Sequence, residues 1–218
     1  MLIRLRASSY LARLVHRCPA VRLPVRHTET SSLERTGAWV SHDGLARGNV
    51  DLLIGIPKVM PDDHEAELVY RDPMLCIVRK GHPKVRTRLS LDAFASLPHV
   101  DLALFDTVDD TIDRVLSKRG RSRNVQVALP HFSSVPLAIA ETDCVATLSS
   151  RLARMFAERL PLRVLEPPVK LDPIEVRQVW HRRSEVDVAV GFLRAVVRDA
   201  ALLSAPRTRR ALLASPVR

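Results

Sequence analysis

The segment Gly48-Asn49-Val50-Asp51-Leu52-Leu53-Ile54-Gly55 constrains the fold most. Gly48-Asn49 marks a turn, and an apolar run of strand length follows it. A run of this kind reads as a strand buried in a parallel sheet. Gly55 then falls at the strand's carboxyl end, where open α/β sheets place their ligands. Parallel strands need long crossovers, usually helical, so the rest of the chain should alternate between the two elements.

The alternation is present. Strands are expected at 2–5, 21–25, 50–56, 68–78, 100–105, 125–129, 144–148, 162–165 and 174–180. Pro24 argues for an edge position for the second, and Asp72-Pro73 interrupts the fourth. Tyr10 to Cys18 reads as a short helix stopped by Pro19. Residues 30–47 should hold a helix, although Gly37, Trp39 and Gly44 break its pattern. Ser90 is the natural N-cap of a helix over 91–94. A helix beginning at Thr107 buries Ile112, Val115 and Leu116 and stops at Gly120. Helices at 133–141 and 150–160 follow. The clearest helix spans 186–203, where Val186, Ala189, Val190, Leu193, Val196, Val197 and Ala200 recur at three- and four-residue steps.

Composition narrows the functional classes. With 46% hydrophobic residues, the 218-residue chain can bury a core. No apolar run approaches the roughly 20 residues of a membrane span. Cys18, Cys76 and Cys144 are far apart, an odd number without CxxC spacing, which fits a reducing cytoplasm and argues against a zinc site. The formal charge of +10 invites a nucleic-acid partner. Arginine is nevertheless scattered along the whole chain, and only Arg207-Thr208-Arg209-Arg210 is a tight cluster. Sequence-specific DNA binding also needs a groove-fitting element, and none is evident. The first acid is Glu29, after six arginines, a composition that imitates a transit peptide. The strand and helix signals there favour fold over address.

Several segments together resemble the effector-binding domain of LysR-type transcriptional regulators, in the branch that includes nodulation and nitroaromatic or naphthalene-degradation regulators. They are Gly48 to Gly55; Leu75-Cys76-Ile77-Val78-Arg79-Lys80-Gly81-His82-Pro83; Leu89 to Phe94 with Leu97-Pro98-His99-Val100; Leu129-Pro130-His131-Phe132; Thr142 to Leu148; Pro167-Pro168; and Trp180-His181. Each is weak alone, and their order makes the combination specific over roughly residues 45–200. The resemblance implies a type-2 periplasmic-binding-protein fold: α/β, with two Rossmann-like lobes joined by two crossover strands and a ligand held by both. On this reading lobe one is 1–78 with 181–203, lobe two is 79–180, and 204–218 is a basic, flexible tail. It further implies a homo-oligomer, and DNA contact only through a helix-turn-helix that this chain lacks.

Site residues follow from strand ends and helix starts, where free N–H groups attract anions. Ser8, Ser9 and Thr28 are the candidates from lobe one; His131, Phe132, Ser133, Ser134, Thr147 and Ser149 are those from lobe two. They would clamp a small organic acid, with Phe132 (or Phe105) as a stacking face. Each Ser or Thr can instead be a helix cap, and His99, His131 and Trp180-His181 can be structural. No cofactor, metal or enzyme motif stands out: GxGxxG, P-loop, HExxH and GxSxG are absent. The aspartates at 109, 110 and 113 suit a helix N-terminus better than a metal. The chain thus reads as a sensor and not an enzyme. Two alternatives stand beside this: a small hydrolase-like enzyme, or a degraded regulator fragment. The helix after Ala7-Ser8-Ser9-Tyr10 is about two turns shorter than the family's, which motivates the second.

Overall fold

The computed structural model describes residues 5–7, 44–57, 59–104, 107–108 and 111–203. Strands β1 (Leu5–Ala7), β2 (Leu52–Gly55), β3 (His64–Asp72) and β4 (Met74–Arg79) come first. Helix α1 (Leu91–Ser96), β5 (Pro98–Leu104), β6 (Thr107–Val108), α2 (Thr111–Ser117) and β7 (Asn124–Leu129) follow. Then come α3 (Ser134–Ala140), β8 (Ala146–Ser149), α4 (Ser150–Ala157), β9 (Leu162–Leu165), β10 (Ile174–His181) and α5 (Val188–Leu203). Ser8, Ser9, Thr28, Phe105 and the tail 204–218 lie outside the described residues, as do the expected elements between 8 and 43.

The chain divides into two compact units, 1–70 with 175–218, and 71–174. Unit 1 holds a sheet of order β1-β2-β10-β3. β1 runs parallel to β2, with Leu5 opposite Leu52, and β10 runs antiparallel to it, with Gln178 opposite Ile54. The strand expected at 50–56 is therefore interior to its sheet. Its Leu52 and Ile54 pack with Val176 and Trp180 of β10 and with Val190, Leu193, Val196 and Val197 of α5. Asp187 starts α5 by accepting from the N–H groups of Ala189 (2.8 Å) and Val190 (3.2 Å). Val186, counted on the apolar face from periodicity, precedes the helix and is 89% exposed.

Unit 2 has sheets of order β8-β4-β9 and β6-β5-β7. A parallel bridge between His99 and Val145 ties them together. Four consecutive residues of β4, Leu75 to Val78, are buried, so this strand is the centre of a sheet. The units divide at Tyr70/Arg71 and Ile174/Glu175, six to eight residues before the lobe limits that the family resemblance implies. Pro73, which has no N–H to give a ladder, separates the largely half-buried β3 from β4, whose four central residues are buried. β3 and β10 are the strands along which the chain passes from one unit to the other.

Local chemistry explains the smaller elements. Ser90 Oγ accepts from the Ala93 N–H at 3.1 Å and caps α1 as expected. Gly120, at φ +65°, ends the turn after α2. Thr107-Val108, expected to open that helix, forms instead a short antiparallel pair with Ala103 and Leu104. β-branched residues favour this extended pairing over a helical first turn.

Candidate functional site

In unit 2, β5 and β7 are parallel, and the bridge at His99 aligns β8 with them. The carboxyl ends of the three strands therefore lie on one edge of the sheet. Two of the expected segments emerge there: Pro130-His131-Phe132-Ser133 after β7, and Ser149 at the end of β8. His131 and Ser133 are exposed and Phe132 is half-buried. Thr147 and Ser149 are each 8% exposed.

The sequence left helix capping and ligand contact open for the serines. Neither Ser133 nor Ser149 makes a side-chain cap hydrogen bond, although both stand at the N-cap of their helices. For α4 the reason is a residue that sequence reasoning missed. Asp72, 1% exposed, accepts from Ser150 Oγ at 2.5 Å, and its carboxylate lies 3.3 and 3.4 Å from the Arg151 N–H. The chain's own carboxylate thus sits where an external anion would meet the α4 dipole. Thr147 Oγ1 is 3.5 Å from Cys76 Sγ, and burial pushes that thiol up to about 12. The first turn of α3 has no acid, its Ser134 N–H donates to the His131 carbonyl at 3.1 Å, and Pro136 has no N–H to offer.

At the amino end of β7 an ionic cluster forms that spacing alone did not reveal. The Arg123 side chain, 1% exposed, makes a bidentate pair with Asp113 at 2.8 Å through Nε and Nη2. Its Nη2 also lies 2.7 Å from Asp101 Oδ2, an ion pair without hydrogen-bond alignment. The paired carboxylates hold the guanidinium pKa above its ordinary value despite burial. Asp113 therefore serves this pair as well as the α2 first turn. The only sequence signal was its place in a helix N-terminal turn.

His99, also a candidate, has no exposed surface. Its Nε2–H donates to the Phe94 carbonyl at 2.7 Å, and its ring packs edge-on against Phe94 at 4.7 Å. Burial holds its pKa below the ordinary histidine value, and the Arg123 charge adds to this.

In unit 1, each residue of Trp180-His181-Arg182-Arg183 has a structural partner. Trp180 is buried, donates through Nε1 to Glu185, and carries the Arg194 guanidinium 3.5 Å above its ring. His181 Nε2 lies 3.2 Å from Asp63 Oδ2, and Arg182 Nε donates to Glu65 at 2.9 Å. Arg183 donates to the carbonyls of Ala46 (2.6 Å) and Leu45 (2.5 Å).

Surface depressions in unit 2 include one lined by Arg79 and residues 140–143 and one lined by residues of α1 and 120–122. Neither includes His131, Phe132, Ser133, Thr147 or Ser149. Among the described residues, no group of three or more His, Cys, Asp or Glu is placed to hold a metal ion. No described helix is long and apolar enough to cross a membrane.

Comparison with known proteins agrees with this architecture. The regulatory domain of MexT, a transcriptional activator in Pseudomonas aeruginosa, superposes with a TM-score of 0.66 at 24% identity, over 74% of this chain and 78% of that one. A Vibrio parahaemolyticus chain assigned as a transcriptional regulator gives a TM-score of 0.75 at 25% identity, over 96% of both chains. Curated relatives include the HTH-type transcriptional regulator SyrM of Rhizobium meliloti, 32% identical over 72% of this chain and 48% of its own length. The HTH-type transcriptional activator NahR of Pseudomonas putida is 30% identical over 71% of this chain and 52% of its own. The chain thus spans about half the length of the curated relatives it matches. The profile of the LysR substrate binding domain matches residues 4–202, and the chain belongs to that family.

Proposed function

We propose that this chain is the effector-sensing part of a cytoplasmic, oligomeric transcriptional regulator, and that its ligand is a small organic acid, more readily aromatic than sugar-like. The observation that carries the ligand reading is the shared edge of β5, β7 and β8 in unit 2. There an exposed imidazole (His131), a half-buried ring (Phe132) and an uncapped hydroxyl (Ser133) follow one another. A carboxylate suits the donors and an aromatic face suits Phe132. Because Asp72 already occupies the α4 N-terminus, the ligand's charge would fall to the side chains of His131 and Ser133. Ser8, Ser9 and Thr28 would supply the remaining contacts, with Thr147 and Ser149 behind the rim. Sequence-specific DNA contact would belong to a helix-turn-helix, as the relatives' names indicate for those proteins. Binding, and not catalysis, is the activity that this arrangement supports.

Calorimetric titration with salicylate as the probe tests the reading. His131→Ala should weaken binding about tenfold, which is about 1.4 kcal/mol. Binding that is unchanged in this variant would return His131 to a structural role, and would move the site away from the β7 end.

A further inference from the structure

The segment Arg79-Lys80-Gly81-His82-Pro83-Lys84-Val85-Arg86-Thr87-Arg88 contains no acid, and none follows before Asp92. It joins β4 to α1, and the fold holds it firmly. The Lys80 N–H donates to the Pro161 carbonyl at 2.6 Å. His82, 3% exposed, accepts at Nδ1 from the Lys84 N–H (3.1 Å), so its Nε2–H donates to the Asp143 carbonyl (3.0 Å). Val85 and Leu89 are buried in the same core cluster as Val169. Arg163 adds a bond to the Val85 carbonyl at 3.4 Å.

With the backbone fixed this way, Lys80, Lys84, Arg86 and Arg88 all point to solvent. Two acids beside the loop are already engaged: Asp143 with Arg79 at 2.6 Å, and Asp92 with Arg121 at 2.6 Å. No carboxylate among the described residues pairs with any of these four cations. Lys170, close by through Val169, is flanked by Glu166 and Asp172 and is left aside.

Four unneutralised cations on a rigid loop suit a polyanion. The choice between a phosphate backbone and an acidic protein surface turns on apolar anchors, because protein interfaces draw their energy from buried aromatic and aliphatic residues. The exposed large hydrophobic residues of the described chain are Ile56, Val59, Val127, Leu137, Val186, Val188, Phe192 and Leu202, and none lies on this loop. We propose that the 80–88 loop is a sequence-independent contact for the phosphate backbone of duplex DNA. It reads no bases, since a loop presents neither a helix nor a two-stranded ribbon to a groove. It would add charge-driven affinity wherever a regulator of this kind is held on its operator. The contact is separate from the ligand edge and does not depend on it.

Fluorescence anisotropy of the full chain with a scrambled 20-base-pair duplex, from about 50 to 200 mM salt, tests this. Four phosphate contacts predict a log–log salt slope of roughly −3 to −4. Lys84→Gln/Arg86→Gln/Arg88→Gln should make the slope shallower by roughly 2 to 3 and weaken binding at least tenfold at low salt. The three side chains are exposed, and an unchanged melting temperature will show that the variant is folded. Lys118→Gln/Arg119→Gln/Arg154→Gln removes equal charge from exposed positions of the same unit and should retain most of the slope. Equal losses in the two triples would overturn the proposal, because total charge alone would then explain binding. An unchanged slope in the loop triple would also overturn it and leave an acidic protein as the partner of the loop.

Discussion

His99 is a titratable group that folding places where protonation is costly. Its Nε2–H is committed to the Phe94 carbonyl, and its Nδ1 has no partner among the described residues. A proton on Nδ1 would be buried without an acceptor and close to the Arg123 charge. The folded-state pKa is therefore depressed below the ordinary 6.5. Above pH 6.5 both states carry a neutral ring and the effect is nil. As pH falls below that value the unfolded chain takes up a proton that the folded chain refuses, so stability is lost progressively down through the folded pKa. Glu67 and Asp63, also depressed, lose their contributions only near and below their own ordinary values of 4.5 and 3.8. The window from about pH 6.5 to 5 is therefore where the His99 contribution is lost, above the range of Glu67 and Asp63. Urea melts across it should show falling stability in the native chain and a flatter profile in His99→Phe. Parallel profiles in the two chains would refute this account of His99.

At the level of elements, the clearest lesson is how the two helix starts at the sheet edge differ. α4 begins under the carboxylate of Asp72, a residue far away in sequence, while α3 begins with no acid near its first turn. Asp72→Ala should cost about 1–2 kcal/mol of stability, and Asp72→Asn less, because its amide oxygen can still accept from Ser150. Equal losses in a pair of thermal melts would mean that the carboxylate acts elsewhere. The regular elements were legible because their signals are local. The Ser90 cap, the Gly120 stop and the three- and four-residue steps of α5 each lie within a few residues of one another. Asp72 with Ser150, and Arg123 with Asp101, were not legible, because nothing local distinguishes a buried acid from a solvated one. The Gly48 signal held a second meaning that only the fold reveals. Its φ of +72° closes the turn 45–48, and an added Cβ would lie 3.2 Å from the Arg183 guanidinium. The first and last motifs of the family pattern therefore meet at one turn.

For the molecule as a whole, two units with separate cores are built from a chain that leaves and returns through β3 and β10. The chain crosses between them within β3 and at the start of β10, and only sheet membership tells a connecting strand from a central one. The family relation fixes the architecture, and the ligand is the central claim added to it. A thermal-shift series on the full chain tests that claim most directly, with benzoates, salicylates and flavonoids set against sugars and amino acids. Binding to the folded state alone stabilises it by about 2.7 kcal/mol at a hundredfold excess over the dissociation constant. The account predicts a dose-dependent rise in melting temperature with one or more of the aromatic acids, reduced in His131→Ala. A rise with sugars or amino acids and none with the aromatic acids would contradict it.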